Sequence, residues 1–144
     1  MAVWGLILVA IAGGLATTIQ GQLVGLMDQA IGTRGSLLVT YLTGIGVAAG
    51  LAATGEGIPW RQWSTLPWYT FTSGFLGIII VGSISFAVPR LGLATTFTVM
   101  VATQFALSAL IDHWGWLGAT VRPIDVQKIA GLAAVLVGVR LLLK

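Results

Sequence analysis

Long apolar stretches alternate with short polar ones along almost the whole chain. A helix needs roughly 20 apolar residues to cross the hydrocarbon core of a bilayer, and five stretches approach that length. Because lipid offers no hydrogen-bond partners, the backbone must satisfy itself within each stretch, which excludes open strands. We therefore predict transmembrane helices at about 3–27, 36–53, 67–88, 91–111 and 127–143.

Polar and turn-forming residues separate these stretches. All four prolines fall in loops or at helix starts in this arrangement, so we expect no helix to be broken by proline. The predicted connections are 28–35, 56–62, a tight turn at Pro89-Arg90, and a longest loop over 112–125.

Composition supports a protein dissolved largely in lipid. Hydrophobic residues make up 57% of the chain and charged residues 8%, and the mean hydropathy is +1.00. A soluble domain carries about a quarter charged residues. We predict an all-α integral membrane protein: a single transmembrane domain over 1–144 in the inner or plasma membrane, with almost nothing folded outside. No basic segment precedes the first apolar stretch, so we expect that helix to be retained rather than cleaved as a signal peptide.

The ionisable residues exclude several classes of function. The seven Lys and Arg residues are scattered singly, which argues against nucleic-acid binding despite a net charge of +3. With no Cys and a single His, the chain offers too few soft ligands for a zinc site, and we expect no metal and no cofactor. No nucleophile elbow, phosphate loop or paired carboxylate is present, so we do not expect an enzyme.

The basic residues are balanced between the two sides of the predicted topology. This balance gives no positive-inside bias, and it fits an antiparallel, dual-topology homodimer arranged like the inverted repeats of larger transporters. Alternatively, the N-terminal amine or a paralogous partner in a heterodimer sets the orientation. The side that holds the N-terminus carries Arg61, Arg122 and Lys128, and the other side carries Arg34, Arg90, Arg140 and Lys144.

The polar residues within the predicted helices are almost all neutral, because no Asp, Glu, Lys or Arg falls in the middle of a span. Thr and Ser hydroxyls can bond to their own helix, whereas a glutamine amide is harder to satisfy. The alternative to a solute-binding role is hydrogen bonding between helices. The substrate-binding candidates, which we expect to line a water-accessible cavity, are Gln20, Gln104, Thr17, Ser108 and Tyr41.

Asp112 and His113 adjoin the end of the fourth predicted helix. Histidine titrates near neutral pH, so the pair is a candidate for ion coupling or proton sensing. Adjacent helical residues point about 100° apart, which argues against an acid–base dyad. An interfacial cap is the alternative role.

Four sets of motifs, taken together, resemble the YdcZ-like family, a short five-helix branch of the drug/metabolite transporter superfamily. The resemblance implies half of an inverted-repeat transporter fold, and it implies no particular substrate. Val24 stands where the family often has Asn, which leaves Gln22 as the nearby polar residue. The motifs are Ala12-Gly13-Gly14 through Ile19-Gln20 with Ile31-Gly32 and Tyr41-Leu42-Thr43-Gly44; Pro67-Trp68-Tyr69 with Gly74 and Gly77; Val88-Pro89-Arg90-Leu91-Gly92; and Gln104 with Ile111-Asp112-His113-Trp114-Gly115.

These observations favour a small-solute transporter that works as a dimer by alternating access. Its expected partners are a small-molecule solute, the lipid bilayer and a second copy or a paralogue. A passive dual-topology channel and a non-transporting accessory subunit are the alternatives. Saturable counterflow distinguishes a transporter from a channel.

Overall fold

The computed structural model describes residues 3–54 and 60–142. These residues form four α-helices and three short 3₁₀ helices, and none of them lies in a strand. The predicted all-α fold is confirmed. The α-helices are α1 (Val3–Thr54), α2 (Ser73–Leu91), α3 (Leu93–Trp114) and α4 (Val126–Leu142), and the 3₁₀ helices are Trp60–Thr65, Trp68–Thr72 and Trp116–Gly118.

Helix α1 bends at Gly32 into two arms, 3–31 and 33–54. Gly32 has φ 73° and ψ 165°, a backbone conformation that only glycine adopts without strain. The hydroxyl of Ser36 in the second arm donates to the carbonyl oxygen of Val24 in the first, at 3.2 Å. The second arm therefore folds back along the first. The connection predicted over 28–35 contains this bend but is much shorter than expected, because only Gly32 leaves the helical conformation.

Helix α2 packs against both arms within a compact unit, Met1–Arg90. Gly25 of the first arm faces Val88, where an added Cβ would lie 2.9 Å from the Val88 Cγ1 atom. Gly82 of α2 faces Leu37 of the second arm, with a corresponding distance of 3.5 Å to Leu37 Cδ1. Small residues thus let these helices approach closely, as is common where lipid supplies no hydrophobic drive between helices.

The turn predicted at Pro89-Arg90 is wrong, since α2 contains both residues and ends at Leu91. The expectation that every proline lies in a loop or at a helix start therefore fails at Pro89, although the proline does not break the helix. The missing N–H of Pro89 leaves the Ser85 carbonyl oxygen without its usual partner four residues on, towards the C-terminal end of α2, where the cost is smaller than in a helix centre. The helical conformation is interrupted instead at Gly92, which has φ 83° and ψ 156°.

The second compact unit, Leu91–Lys144, is built on the packing of α3 against α4. Gly131 of α4 faces the ring of Phe105, where an added Cβ would lie 3.8 Å from the Phe105 Cζ atom. Asp125 begins α4 by accepting the Lys128 backbone N–H at 2.7 Å, a typical N-cap arrangement. The assignment of 1–144 to one domain stays a prediction.

Three segments of the described chain are long and apolar enough to cross a membrane: Val3–Thr54, Trp68–Leu91 and Leu93–Trp114. Their mean hydropathies are 1.8, 2.0 and 1.6. Helix α4 has 17 residues, about 25 Å at 1.5 Å per residue. The fold is that of a multi-pass membrane protein.

Candidate functional site

A cleft of about 490 Å³ lies between the two arms of α1. The arms touch near the bend at Gly32, and the cleft occupies the space beyond that contact. Its walls are mostly apolar, and none of the described residues that line it is Asp, Glu, Lys, Arg or His. The lining residues are Gln20, Leu23, Val24, Met27, Val39, Thr40, Thr43, Gly44, Val47, Ala48 and Leu51.

Gln20 and Thr40 supply unpaired polar groups to this cleft. The Gln20 amide has no hydrogen-bond partner among the described residues, and the buried hydroxyl of Thr40 likewise has none there. Thr43 differs, because its hydroxyl donates to its own helix at Val39 and Thr40 carbonyl oxygens, both at 2.9 Å. An orphaned buried hydroxyl is costly unless something binds it, so Gln20 and Thr40 are the groups that a solute would meet.

The structure places two other predicted site residues outside this lining. The Thr17 hydroxyl donates to the Gly13 carbonyl oxygen at 2.8 Å, which confirms that hydroxyls in these spans bond to their own helix. Tyr41 faces α2, where its hydroxyl would lie 2.8 Å from a Cβ added at Gly77. Thr40, one residue earlier, lines the cleft together with Thr43.

Gln104 and Ser108 belong to the second unit, on α3. Both are exposed, and the Ser108 hydroxyl donates to the Phe105 carbonyl oxygen at 3.0 Å. The Gln104 amide makes no hydrogen bond within the described part of the chain. A substrate-facing role for these two residues stays a prediction.

A buried polar cluster that sequence reasoning missed surrounds Asp28. This residue lies inside α1, four positions before the bend, rather than in a loop. Its Oδ1 atom accepts the hydroxyl of Thr33 and, at 3.5 Å, that of Ser85. Ser85 and Ser36 also point their hydroxyls at the Val24 carbonyl oxygen, at 3.3 and 3.2 Å. Polar groups from both arms of α1 and from α2 therefore meet at one point.

Arg90 supplies the counter-charge to Asp28. Its Nη1 atom lies 3.3 Å from Asp28 Oδ2, with side-chain exposures of 51% for Arg90 and 6% for Asp28. Arg90 also stacks on the ring of Phe86, with its Cζ atom 3.7 Å from the ring centroid, and donates to the Phe86 carbonyl oxygen. The guanidinium is thus held at the end of α2 by contacts that do not depend on Asp28.

The sequence contains a weak signal for this pair. Asp28 follows Leu26-Met27 and precedes Gln29-Ala30-Ile31, with no proline nearby. An acid inside an apolar, helix-forming segment calls for a buried partner, and only the fold shows that the partner is Arg90.

His113 holds the loop after α3 rather than facing a cavity. Its Nδ1 atom accepts the Ile124 backbone N–H at 3.1 Å, and the Arg122 N–H donates to the Asp112 carbonyl oxygen at 2.8 Å. The loop therefore closes back on the end of α3, an arrangement that supports the capping role. Ion coupling through Asp112 and His113 stays a prediction.

Among the described residues, no three His, Cys, Asp or Glu side chains come together in a metal-binding group.

The comparisons with known proteins give one match. The model of a family described as "Putative inner membrane exporter, YdcZ" matches residues 5–141. No curated protein and no solved structure matches the chain.

Proposed function

This chain belongs to the YdcZ family of inner membrane exporters, and we propose that it exports a small solute through the cleft between the two arms of α1. The description of the family as inner membrane exporters supports a transporter. The observation that carries the proposal is the presence of both Gln20 and the unpaired hydroxyl of Thr40 in the lining of a mostly apolar cleft.

The chemistry of the lining indicates the class of solute. A glutamine amide both donates and accepts hydrogen bonds, and a threonine hydroxyl does the same. Because the described lining residues include no ionisable side chain, a solute with a full charge would find no counter-charge among them, at high cost. A small neutral solute with hydroxyl, amide or carbonyl groups fits this lining best.

We propose further that the working unit is an antiparallel dimer with alternating access. Each arm of α1 exceeds the roughly 20 residues needed to cross a bilayer, so the chain would cross about five times. Balanced basic residues then permit both orientations. Glycines with open space in front of them, at Gly13, Gly14, Gly46 and Gly50, would let a second copy approach closely.

Counterflow in proteoliposomes tests the transport claim. A thermal-shift screen of small neutral metabolites on the purified protein identifies a ligand, because a molecule that binds only the folded state raises apparent stability. Proteoliposomes loaded with that ligand should then accumulate labelled ligand from outside, with saturable kinetics. Unsaturable flux without counterflow would indicate a channel instead.

A further inference from the structure

Five oxygen atoms converge around Asp28 from three helical segments. The first arm of α1 supplies the Asp28 carboxylate and the Val24 carbonyl oxygen, the second arm supplies the hydroxyls of Thr33 and Ser36, and α2 supplies the hydroxyl of Ser85. Carboxylate, hydroxyl and carbonyl oxygens are the ligands that hard cations prefer.

Three of these oxygen–oxygen distances are longer than typical hydrogen bonds, whereas the Thr33 hydroxyl makes a short one to Asp28 Oδ1, at 2.5 Å, and would have to move to share a cation. The distances from Ser36 and Ser85 to the Val24 oxygen are 3.2 and 3.3 Å, and the distance from Ser85 to Asp28 is 3.5 Å. Hydroxyl hydrogen bonds usually span about 2.7–2.8 Å. Oxygens that share a cation at about 2.4 Å, in octahedral directions, lie about 3.4 Å apart.

The cluster is buried, so the attraction between its carboxylate and a bound cation is stronger than it would be in water. Ser36 and Ser85 have no solvent exposure, and the Asp28 side chain is 6% exposed. A carboxylate buried to this degree needs a positive partner. Arg90 fills that role through one contact of 3.3 Å, while its contacts with Phe86 anchor it independently.

We propose that the Asp28 cluster is a sodium-type cation site, in which the cation and Arg90 compete for the same carboxylate. One carboxylate balances one monovalent charge, whereas calcium sites recruit several carboxylates. When the cation binds, Arg90 leaves Asp28 but keeps its stacking on Phe86. The half-exposed position of Arg90 lets its charge reach water or lipid headgroups.

The cation site would communicate directly with the solute cleft. Val24 lines the cleft with its side chain and offers its carbonyl oxygen to Ser36 and Ser85. A cation that orders this carbonyl would also fix the contact between the two arms. This coupling step rests on the proposed function, whereas cation binding itself does not, because it can be measured without transport.

The test compares the melting temperature of purified protein in sodium chloride and in choline chloride at equal ionic strength. Sodium should raise the melting temperature by roughly 3 °C or more. Arg90→Gln removes the competing charge, so its half-maximal sodium concentration should fall about tenfold. Ser85→Ala and Asp28→Asn should each abolish the sodium response.

Two variants outside the cluster serve as matched controls. Ser83→Ala removes an exposed hydroxyl bonded to its own helix, and Asp125→Asn changes an exposed carboxylate at the start of α4. Both should keep the full sodium response. Equal melting temperatures of the parent protein in sodium and choline would overturn the proposal, as would a sodium response that survives Ser85→Ala in folded protein.

Flux measurements keep this proposal separate from the solute cleft. A sodium response that depends on Asp28, without counterflow, would support the cation site and contradict the export proposal. Saturable counterflow without a sodium-dependent change in melting temperature would support solute transport through the cleft and overturn the cation site.

Discussion

The Asp28 carboxylate and the Arg90 guanidinium lie 3.3 Å apart although 62 residues separate them along the chain. Their surroundings are unequal, because Asp28 is buried while Arg90 is half exposed. When the ion pair is broken, the two charged groups therefore differ in the other groups with which they can interact. Arg90 can turn to water or lipid headgroups, but Asp28 has only the hydroxyls around it.

This asymmetry predicts unequal effects of the two single substitutions in sodium-free buffer. Arg90→Gln leaves a buried carboxylate without a counter-charge and should destabilise the fold by about 2–3 kcal/mol. Asp28→Asn removes that charge and should cost about 1 kcal/mol. The double variant should be more stable than Arg90→Gln alone. Thermal unfolding in detergent measures all three, and a larger loss for Asp28→Asn would contradict the burial argument.

Gly25 should not tolerate a side chain. Its added Cβ would lie 2.9 Å from Val88 Cγ1, so Gly25→Ala should force α1 and α2 apart at a cost of about 1–3 kcal/mol. Val88→Ala in the same protein should recover part of the loss. The control is Gly74→Ala, since nothing lies within 4 Å of that position. Equal melting temperatures for the two glycine variants would show that the close contact is absent.

His113 should act through its Nδ1 acceptor. His113→Ala leaves the Ile124 N–H without its partner and should cost about 1 kcal/mol. Asn can place an acceptor oxygen near the same position, so His113→Asn should retain most of the stability. Limited proteolysis of the segment 115–125 should show faster cleavage in the alanine variant only. Equal cleavage in both variants would show that the loop after α3 is not held by this hydrogen-bond acceptor.

Membrane orientation should be mixed in the parent protein. With basic residues balanced between the sides, reporters fused to the C-terminus should show activity on both sides of the membrane. Two lysines inserted after Gly118, in the loop before α4, should shift the population to a single orientation. A parent protein with one orientation only would contradict the antiparallel homodimer and leave the heterodimer.

Apolar patterning was sufficient to predict an all-α membrane protein, because the length of an apolar stretch reflects bilayer thickness. It placed one bend correctly, since Gly32 lies within the predicted connection 28–35, but it overestimated the length of that connection and put a turn at Pro89-Arg90, which are helical. The stretch 28–35 looked like a loop because of its charges and glycines, yet Asp28 and Arg34 fit within helices once Asp28 has a partner in Arg90. Pro89 suggested a turn, but a proline close to the end of a helix removes few of the helix's hydrogen bonds.

The candidate site was only partly readable because helical register decides which polar residue faces a cavity. Of the predicted residues, Gln20 lines the cleft, whereas Tyr41 lies outside the lining and its neighbour Thr40 belongs to it. Adjacent helical positions point about 100° apart, so a shift of one residue turns a side chain from the cleft toward α2. No sequence pattern showed that the arms of α1 enclose a cleft, since this depends on the bend at Gly32.

The most direct test of the cleft is the affinity of Gln20→Leu for the solute that the thermal-shift screen identifies. Leucine matches glutamine in size and is at no disadvantage in lipid, so the fold and melting temperature without ligand should stay unchanged. The account predicts that the Kd rises at least about tenfold, as expected for loss of a buried hydrogen bond. Gln22→Leu, an exposed position outside the cleft lining, should leave the Kd unchanged. An unaltered Kd in folded Gln20→Leu protein would contradict the assignment of this cleft as the solute site.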